Sequence, residues 1–188
     1  SFQPTTPMPV PIDPFPGEEV LIQVSTGKTH FVISNRGGVI KQLQLPQFYD
    51  DDGNIIDLIN NPDHLTPALA LQANDPEVTA ILQNAHYEPS TTSIVLSEHN
   101  PEGRLTLTLN HSSGLQVTRT YVFHFNDFMV EMGTQISAAS MAFRNLQYQV
   151  LLGPGMGGKI SSQTDYIVFS GATVFANNER IENPPEDI

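Results

Sequence analysis

The sequence predicts an all-β protein that folds as an antiparallel sandwich and has only a few short helices. First, apolar and polar residues alternate over long runs, as expected of strands with one buried face. Second, turn-forming residues separate these runs, among them Asp52-Gly53-Asn54 and Ser113-Gly114. Third, the 3.6-residue periodicity of amphipathic helices is scarce. These observations together indicate short strands joined by tight turns.

Composition narrows the classes of function. The chain has 188 residues, enough for one domain with a sizeable core or for two small ones. Its 20 acidic residues outnumber 8 Lys and Arg residues, which gives a net charge of −12. Such a surface repels nucleic-acid phosphates and anionic lipid headgroups, so we expect no nucleic-acid partner. The lack of cysteine excludes disulfides, thiolate metal sites and cysteine nucleophiles in these residues.

The first segment of the chain is rich in proline. Six prolines lie within the first sixteen residues, at positions 4, 7, 9, 11, 14 and 16. Proline donates no ladder hydrogen bond and favours an extended polyproline conformation. We therefore predict a linker over 1–17, either a semi-rigid spacer or a disordered tail, and a β-sandwich domain over 18–188. No apolar run approaches the ~20 residues that cross a bilayer, and the N-terminus does not resemble a signal peptide.

A hairpin follows the linker. Val20, Ile22 and Val24 alternate with other residues, and the stretch FVISNRGGVIKQLQL at 31–45 holds two further alternating runs. Asn35-Arg36-Gly37-Gly38 joins these two runs. Because paired glycines accept the positive φ of a tight turn, this segment predicts a β-hairpin.

Further alternating runs follow along the chain. These runs are Leu69 to Ala73, Leu105 to Leu109, Leu115 to Phe125, Phe128 to Ile136 and Leu146 to Leu152. Asn126-Asp127 is the predicted turn between the third run and the fourth. The segment Asp75 to Ala85 is ambiguous. Asp75 is a suitable N-cap and Pro76 a suitable first helical residue, but the β-branched residues fit a strand nearly as well.

Arg119 lies on the apolar face of the longest alternating run, beside Leu115 and Tyr121. An unpaired charge on a buried face is costly. Either the face opens into a cleft at this point, or Arg119 pairs with an acidic residue across the sheet. We favour the acidic partner.

No motif predicts catalytic, cofactor-binding or metal-binding residues. Asp50 to Asn54 resembles the start of a calcium loop, but the twelfth position is Asn61 instead of the bidentate Glu that an EF-hand needs. We predict a solvated turn there. The six histidines lack ligand-like spacing. The glycine-rich segment 153–158 lacks the Lys-Ser/Thr of a phosphate-binding loop and is predicted to be a corner between strands.

The order of features is similar to that of a known family. A proline-rich lead precedes SNRGGVIKQLQL, DGNIIDLI at 52–59, the strand pair GLQVTRTYVFHFNDFMVEMGTQI at 114–136 and LLGPGMGG at 151–158. This order resembles the periplasmic domain of the YidC membrane protein insertase family, which lies between the first two membrane helices. The correspondence spans about residues 18 to 176.

The resemblance implies a β-supersandwich similar to the galactose mutarotase-like fold, at the periplasmic face of the bacterial inner membrane. It implies a non-enzymatic accessory domain without a cofactor, in a protein that inserts and folds inner-membrane proteins. The implied partners are Sec translocon components and nascent membrane proteins. Insertion itself belongs to membrane helices outside this sequence, so contact with the membrane is expected only through them.

The C-terminal part of the chain departs from the family pattern. Family members continue with more strands, often containing Trp, whereas this chain has no Trp. We therefore expect the domain to be incomplete at its C-terminus, with an open sheet edge that favours a homodimer. The main rival is a carbohydrate-binding or aldose-epimerase-like sandwich. The epimerase activity needs a His general acid and a carboxylate base in one cleft. The other rival is an exported β-sandwich adhesin or structural domain.

Overall fold

The computed structural model describes residues 15–59, 67–138, 145–152, 172–176 and 179–183. The chain divides into two compact units, Ser1–Gly157 and Gly158–Ile188. The proline-rich segment 1–17 lies almost entirely outside the described residues, so the linker stays a prediction. Within the described ranges, no helix is long and apolar enough to cross a membrane.

The first sheet of the N-terminal unit has five strands. They are β1 (Leu21–Ser25), β2 (His30–Ser34), β3 (Ile40–Tyr49), β4 (Ile55–Asp57) and β7 (Ser93–Val95). Their spatial order is β4-β3-β2-β1-β7. Neighbouring strands run antiparallel except for β7, which pairs in parallel with β1.

The second sheet has four antiparallel strands. They are β6 (Glu88–Pro89), β8 (Glu102–Asn110), β9 (Leu115–His124) and β10 (Val130–Ala138). Their spatial order is β10-β9-β8-β6. The predicted alternation is clear in β8, where Leu105, Leu107 and Leu109 are buried between more exposed neighbours.

A smaller ribbon and one helix complete this unit. β5 (Ala70–Ala73) pairs with β11 (Tyr148–Leu151), and α1 spans Pro76–Asn84. The helix settles the ambiguity of that segment. Asp75 is the N-cap, because its Oδ1 accepts the N–H groups of Glu77 and Val78 at 2.8 and 3.0 Å. The buried side chains of Val78 and Leu82 fix the face that α1 turns to the core.

The core lies between the two larger sheets. The rings of Phe31 in β2 and Phe123 in β9 contact each other, with 5.3 Å between centroids. Apolar residues of both sheets, of β5 and of α1 belong to one buried cluster. The predicted mostly β fold with antiparallel sheets and little helix is confirmed.

The predicted hairpin turn between β2 and β3 is present. Gly37 and Gly38 adopt φ values of +68° and +63°, which L side chains rarely adopt. A Cβ atom on Gly37 would also lie 2.6 Å from the carbonyl oxygen of Gln83. Both conformation and space therefore require glycine at position 37.

The C-terminal unit contains one described hairpin. Its strands are β12 (Ala172–Ala176) and β13 (Glu179–Asn183), which pair antiparallel. The predicted corner at 153–158 lies outside the described residues.

Candidate docking surface

Arg119 lies in the core, and its surroundings correct the predicted acidic partner. The residue is fully buried. Its two terminal nitrogens donate to the main-chain carbonyls of Gly37 at 2.8 Å and Leu69 at 2.7 Å. No carboxylate of the described residues lies within ion-pair distance of it. The prediction was wrong because the guanidinium reaches beyond its own sheet, to carbonyls in a turn and a loop.

This contact joins two of the motifs that carry the family resemblance. Arg119 bonds Gly37, and the hydroxyl of Tyr121 donates to the carbonyl of Gly38 at 2.6 Å. The guanidinium also lies 5.6 Å from the Tyr121 ring centroid. The NRGG turn is therefore anchored to the middle of β9. Burial and hydrogen bonding leave this arginine inaccessible, so its role is structural.

The acidic segment after β3 is a hairpin turn, as predicted. Asp50 Oδ1 accepts the N–H groups of Asp52 at 3.0 Å and Asn54 at 2.8 Å. These hydrogen bonds, first that from Asn54, lower the pKa of the Asp50 carboxyl. The carboxylate thus serves the turn between β3 and β4. No group of three or more potential metal ligands occurs among the described residues.

One histidine has a carboxylate neighbour in the described part of the chain. His124 Nε2 lies 3.4 Å from Glu131 Oε1, across β9 and β10. The side chains are 39% and 74% exposed, so the pair lies on the surface. A mutarotase-like site needs such groups converging in a cleft. This pair does not supply that arrangement, and the sugar-active hypothesis remains a prediction.

Exposed apolar side chains gather where two hairpins meet. We call this set the apolar tip: Phe48, Tyr49, Ile55, Phe128 and Met129, which are 42 to 71% exposed. The rings of Phe48 and Phe128 lie 6.4 Å apart, which joins the β3–β4 hairpin to the β9–β10 turn. Tyr49 and Ile55 are cross-strand partners. The ring contact thus brings together two hairpins that belong to different large sheets.

Charged groups surround the apolar tip. Asp50, Asp51 and Asp52 follow Tyr49 directly, and Asp127 precedes Phe128. The backbone N–H of Met129, and then that of Phe128, bonds the Asp127 carboxylate and lowers its pKa. A cation is also present, since Lys28 Nζ lies 4.8 Å from the Phe128 ring centroid.

A long open edge lies along β10. Phe125 N donates to Pro101 O, so odd-numbered residues of β9 turn their main-chain groups toward β8. Arg119 is one of them, and its β10 partner Thr134 therefore turns its N–H and C=O away from β9. The Tyr148 hydroxyl donates to that Thr134 carbonyl at 3.2 Å, in agreement. Within the described ranges, no strand pairs with this outer side of β10.

Comparison with models of known protein families shows to which family this chain belongs. The family model for the YidC periplasmic domain matches residues 21–185, nearly the whole chain. The chain belongs to this family. The resemblance predicted from the motifs is therefore confirmed. It identifies a membrane insertase-associated domain with a periplasmic location in a membrane protein, from a family that is non-catalytic in general.

Sequence reasoning missed the apolar tip of this YidC periplasmic domain. The alternating pattern assigns Phe128 to a predicted strand and gives no separate signal for Tyr49, although each residue adjoins a predicted acidic turn. That adjacency was the available signal, because apolar residues beside a solvated turn have little sheet to cover them. Their contact across 80 residues of sequence is not visible in a linear pattern.

Proposed function

We propose that this domain is a non-catalytic docking module of a membrane insertase, which binds Sec translocon components or nascent membrane proteins along β10. The observation that carries the proposal is the nine-residue length of this strand, whose outer side pairs with no other strand of the described residues. An unpaired edge presents main-chain donors and acceptors at the spacing of a strand, and an extended polypeptide can add to it.

The other edges of the two large sheets are much less suitable. Among the described strands, β4 and β7 have three residues each and β6 has two. β6 also contains Pro89, which has no N–H to donate. Short edges and proline are ways in which proteins prevent strand addition. β10 lacks both protections, which supports its role as the docking edge.

The main-chain groups for docking come from alternate residues. Met132 and Ile136 share the orientation of Thr134 and present their N–H and C=O groups outward. Thr134 presents its N–H in the same direction, while its C=O already accepts from the Tyr148 hydroxyl. Glu131 and Gln135 have exposed side chains on one face of the strand. Main-chain bonds would give affinity, and these side chains would distinguish one partner from another.

The predicted homodimer would use the same kind of edge. Two copies of this chain, each of net charge −12, repel each other at low salt. We therefore propose a heterologous partner on β10 and expect the isolated chain to remain monomeric at low ionic strength. Sedimentation velocity measures this directly, and a stable dimer at low salt would replace the heterologous partner with a second copy.

The test replaces Thr134 by proline in the intact membrane protein that carries this domain. Thr134→Pro removes an outward N–H while leaving the hydrogen bonds to β9 in place, since edge strands tolerate proline there. Thr134→Val is the matched control, because it keeps the N–H. Capture of Sec components and nascent chains should fall about tenfold for the proline variant and stay unchanged for the valine variant.

A second measurement tests docking at β10 even if the proline variant does not fold. A photo-crosslinking amino acid at Gln135, whose side chain is exposed, should crosslink to the same partners in an otherwise unchanged protein. Equal capture by Thr134→Pro, or crosslinks only to unrelated acidic proteins, would reject docking at β10.

A further inference from the structure

The apolar tip has no assigned role, and its composition points to a particular ligand. We propose that the tip binds extended polypeptide segments in which apolar residues stand next to Lys or Arg. The inference rests on the proposed function in that both require a polypeptide partner. It concerns a different surface, formed by the turns at the end of the sheets instead of the β10 edge.

The apolar side chains of the tip are unusually open for their size. Met129 is 71% exposed and Tyr49 60%, while Phe48, Phe128 and Ile55 are each more than two-fifths exposed. Scattered apolar residues on a surface are ordinary, but the Phe48–Phe128 ring contact brings two of these side chains together from different hairpins. Tyr49, which follows Phe48 in the chain, pairs with Ile55 on the neighbouring strand. Exposed apolar side chains concentrated at one end of the sheets mark an interaction site.

The charge around the tip selects the partner. Asp50 and Asp127 border it from the two hairpins, and Asp51 and Asp52 extend the acidic rim. Their hydrogen bonds hold the pKa values of Asp50 and Asp127 below the usual range, so both remain negative at neutral pH. A partner with cations beside its apolar residues would meet complementary charge on binding.

The chain itself contains an example of the proposed contact. Lys28 places its ammonium over the Phe128 ring at 4.8 Å, although Lys28 belongs to the turn between β1 and β2. The ring quadrupole attracts the cation at this distance. The tip has two further exposed aromatic rings, Phe48 and Tyr49, on which a partner's Lys or Arg can stack in the same way.

The same charges disfavour two other occupants. Anionic lipid headgroups would be repelled by the carboxylates of the rim, and among the described residues Lys28 is the cation seen at the tip that could attract them. A second copy of the chain would bring the same acidic rim and a net charge of −12. The apolar side chains alone could contact a lipid surface, a second copy of the chain or a basic–apolar segment. The acidic rim attracts the basic–apolar segment and repels the other two.

The experiment measures peptide binding to the whole 188-residue chain. The probe is a short fluorescent peptide in which apolar residues, Phe or Leu, alternate with Lys. A second peptide carries Glu at every Lys position. The double variant Phe128→Ser, Met129→Ser tests the tip. Val95→Ser is the matched control, because Val95 is 69% exposed but lies on β7, in a strand that does not contribute to the tip.

We expect the Lys peptide to bind, the Glu peptide not to bind, and the affinity to fall with added salt. The double variant should bind about tenfold more weakly, as for loss of an aromatic anchor, while Val95→Ser and Thr134→Pro bind as the unchanged chain does. Equal binding of the two peptides, equal binding by the double variant, or preferential binding of phosphatidylglycerol vesicles would overturn the inference. Loss in Thr134→Pro alone would move the peptide site to β10, leaving the proposed function intact.

Discussion

Replacing Arg119 by Met removes the buried contact between the NRGG turn and β9. The Gly37 carbonyl, in a buried contact, and the Leu69 carbonyl, in a partly buried one, then lose their donors at a cost of about 2 kcal/mol each. The substitution also removes Arg119 Nε, which is buried without a hydrogen-bond partner among the described residues. Its removal stabilises the folded state by about 1 kcal/mol. The free energy of unfolding should therefore fall by about 3 kcal/mol.

Urea unfolding followed by circular dichroism measures this loss. With a denaturant slope of about 2 kcal/mol/M, the midpoint should fall by about 1.5 M. Arg104→Met is the matched control, because Arg104 is exposed on the neighbouring strand β8, and its effect should stay within about 0.5 kcal/mol. A loss below about 1 kcal/mol for Arg119→Met would refute the assignment of the two carbonyls as its main partners.

Acidification separates carbonyl partners from the acidic partner first expected. Carbonyls do not titrate, so the penalty for Arg119→Met should be the same near neutral pH and below the carboxylate pKa range. A penalty that vanishes in acid would reveal a carboxylate beside Arg119.

Three further predictions concern stability. Thr134→Val removes a buried hydroxyl without a partner in the described ranges, so urea unfolding should show a gain of about 1 kcal/mol, and a loss would reveal a hidden hydrogen bond. Burial raises the pKa of Tyr87 and of Tyr121 above 10, so the stability due to their neutral phenols is complete below that pH and is lost as pH rises through the folded values. Thermal melts should show Tm falling over that alkaline range, with a smaller fall in Tyr87→Phe, and a flat profile would contradict this. Asp75→Ala removes the N-cap of α1 and should cost about 1 kcal/mol in the same urea assay, whereas an unchanged midpoint would mean that the cap contributes nothing.

Local patterns were sufficient for much of the fold. The NRGG turn, the alternation in β8 and β9, and the cap at Asp75 are each set by a few neighbouring residues. Backbone sterics and solvent exposure act over that range, which is why the strands and the family resemblance were readable.

Contacts between distant residues were not readable. The acceptors of Arg119 lie 82 and 50 residues away, so its burial was predictable but its partners were not. The parallel pairing of β7 with β1 and the apolar tip depend in the same way on how the sheets assemble. Hydrophobic alternation specifies which face is buried, and it does not specify which strand or loop covers it.

Amide hydrogen exchange of this domain, with and without its bound partner, tests the docking edge most directly. Strand addition to β10 should slow exchange at Met132, Thr134 and Ile136, whose N–H groups face outward. The amides of Glu131, Gly133 and Gln135 already face β9 and should change little. Protection that alternates in this way is the predicted result. Unchanged exchange along β10 in the bound state would contradict the proposed docking edge.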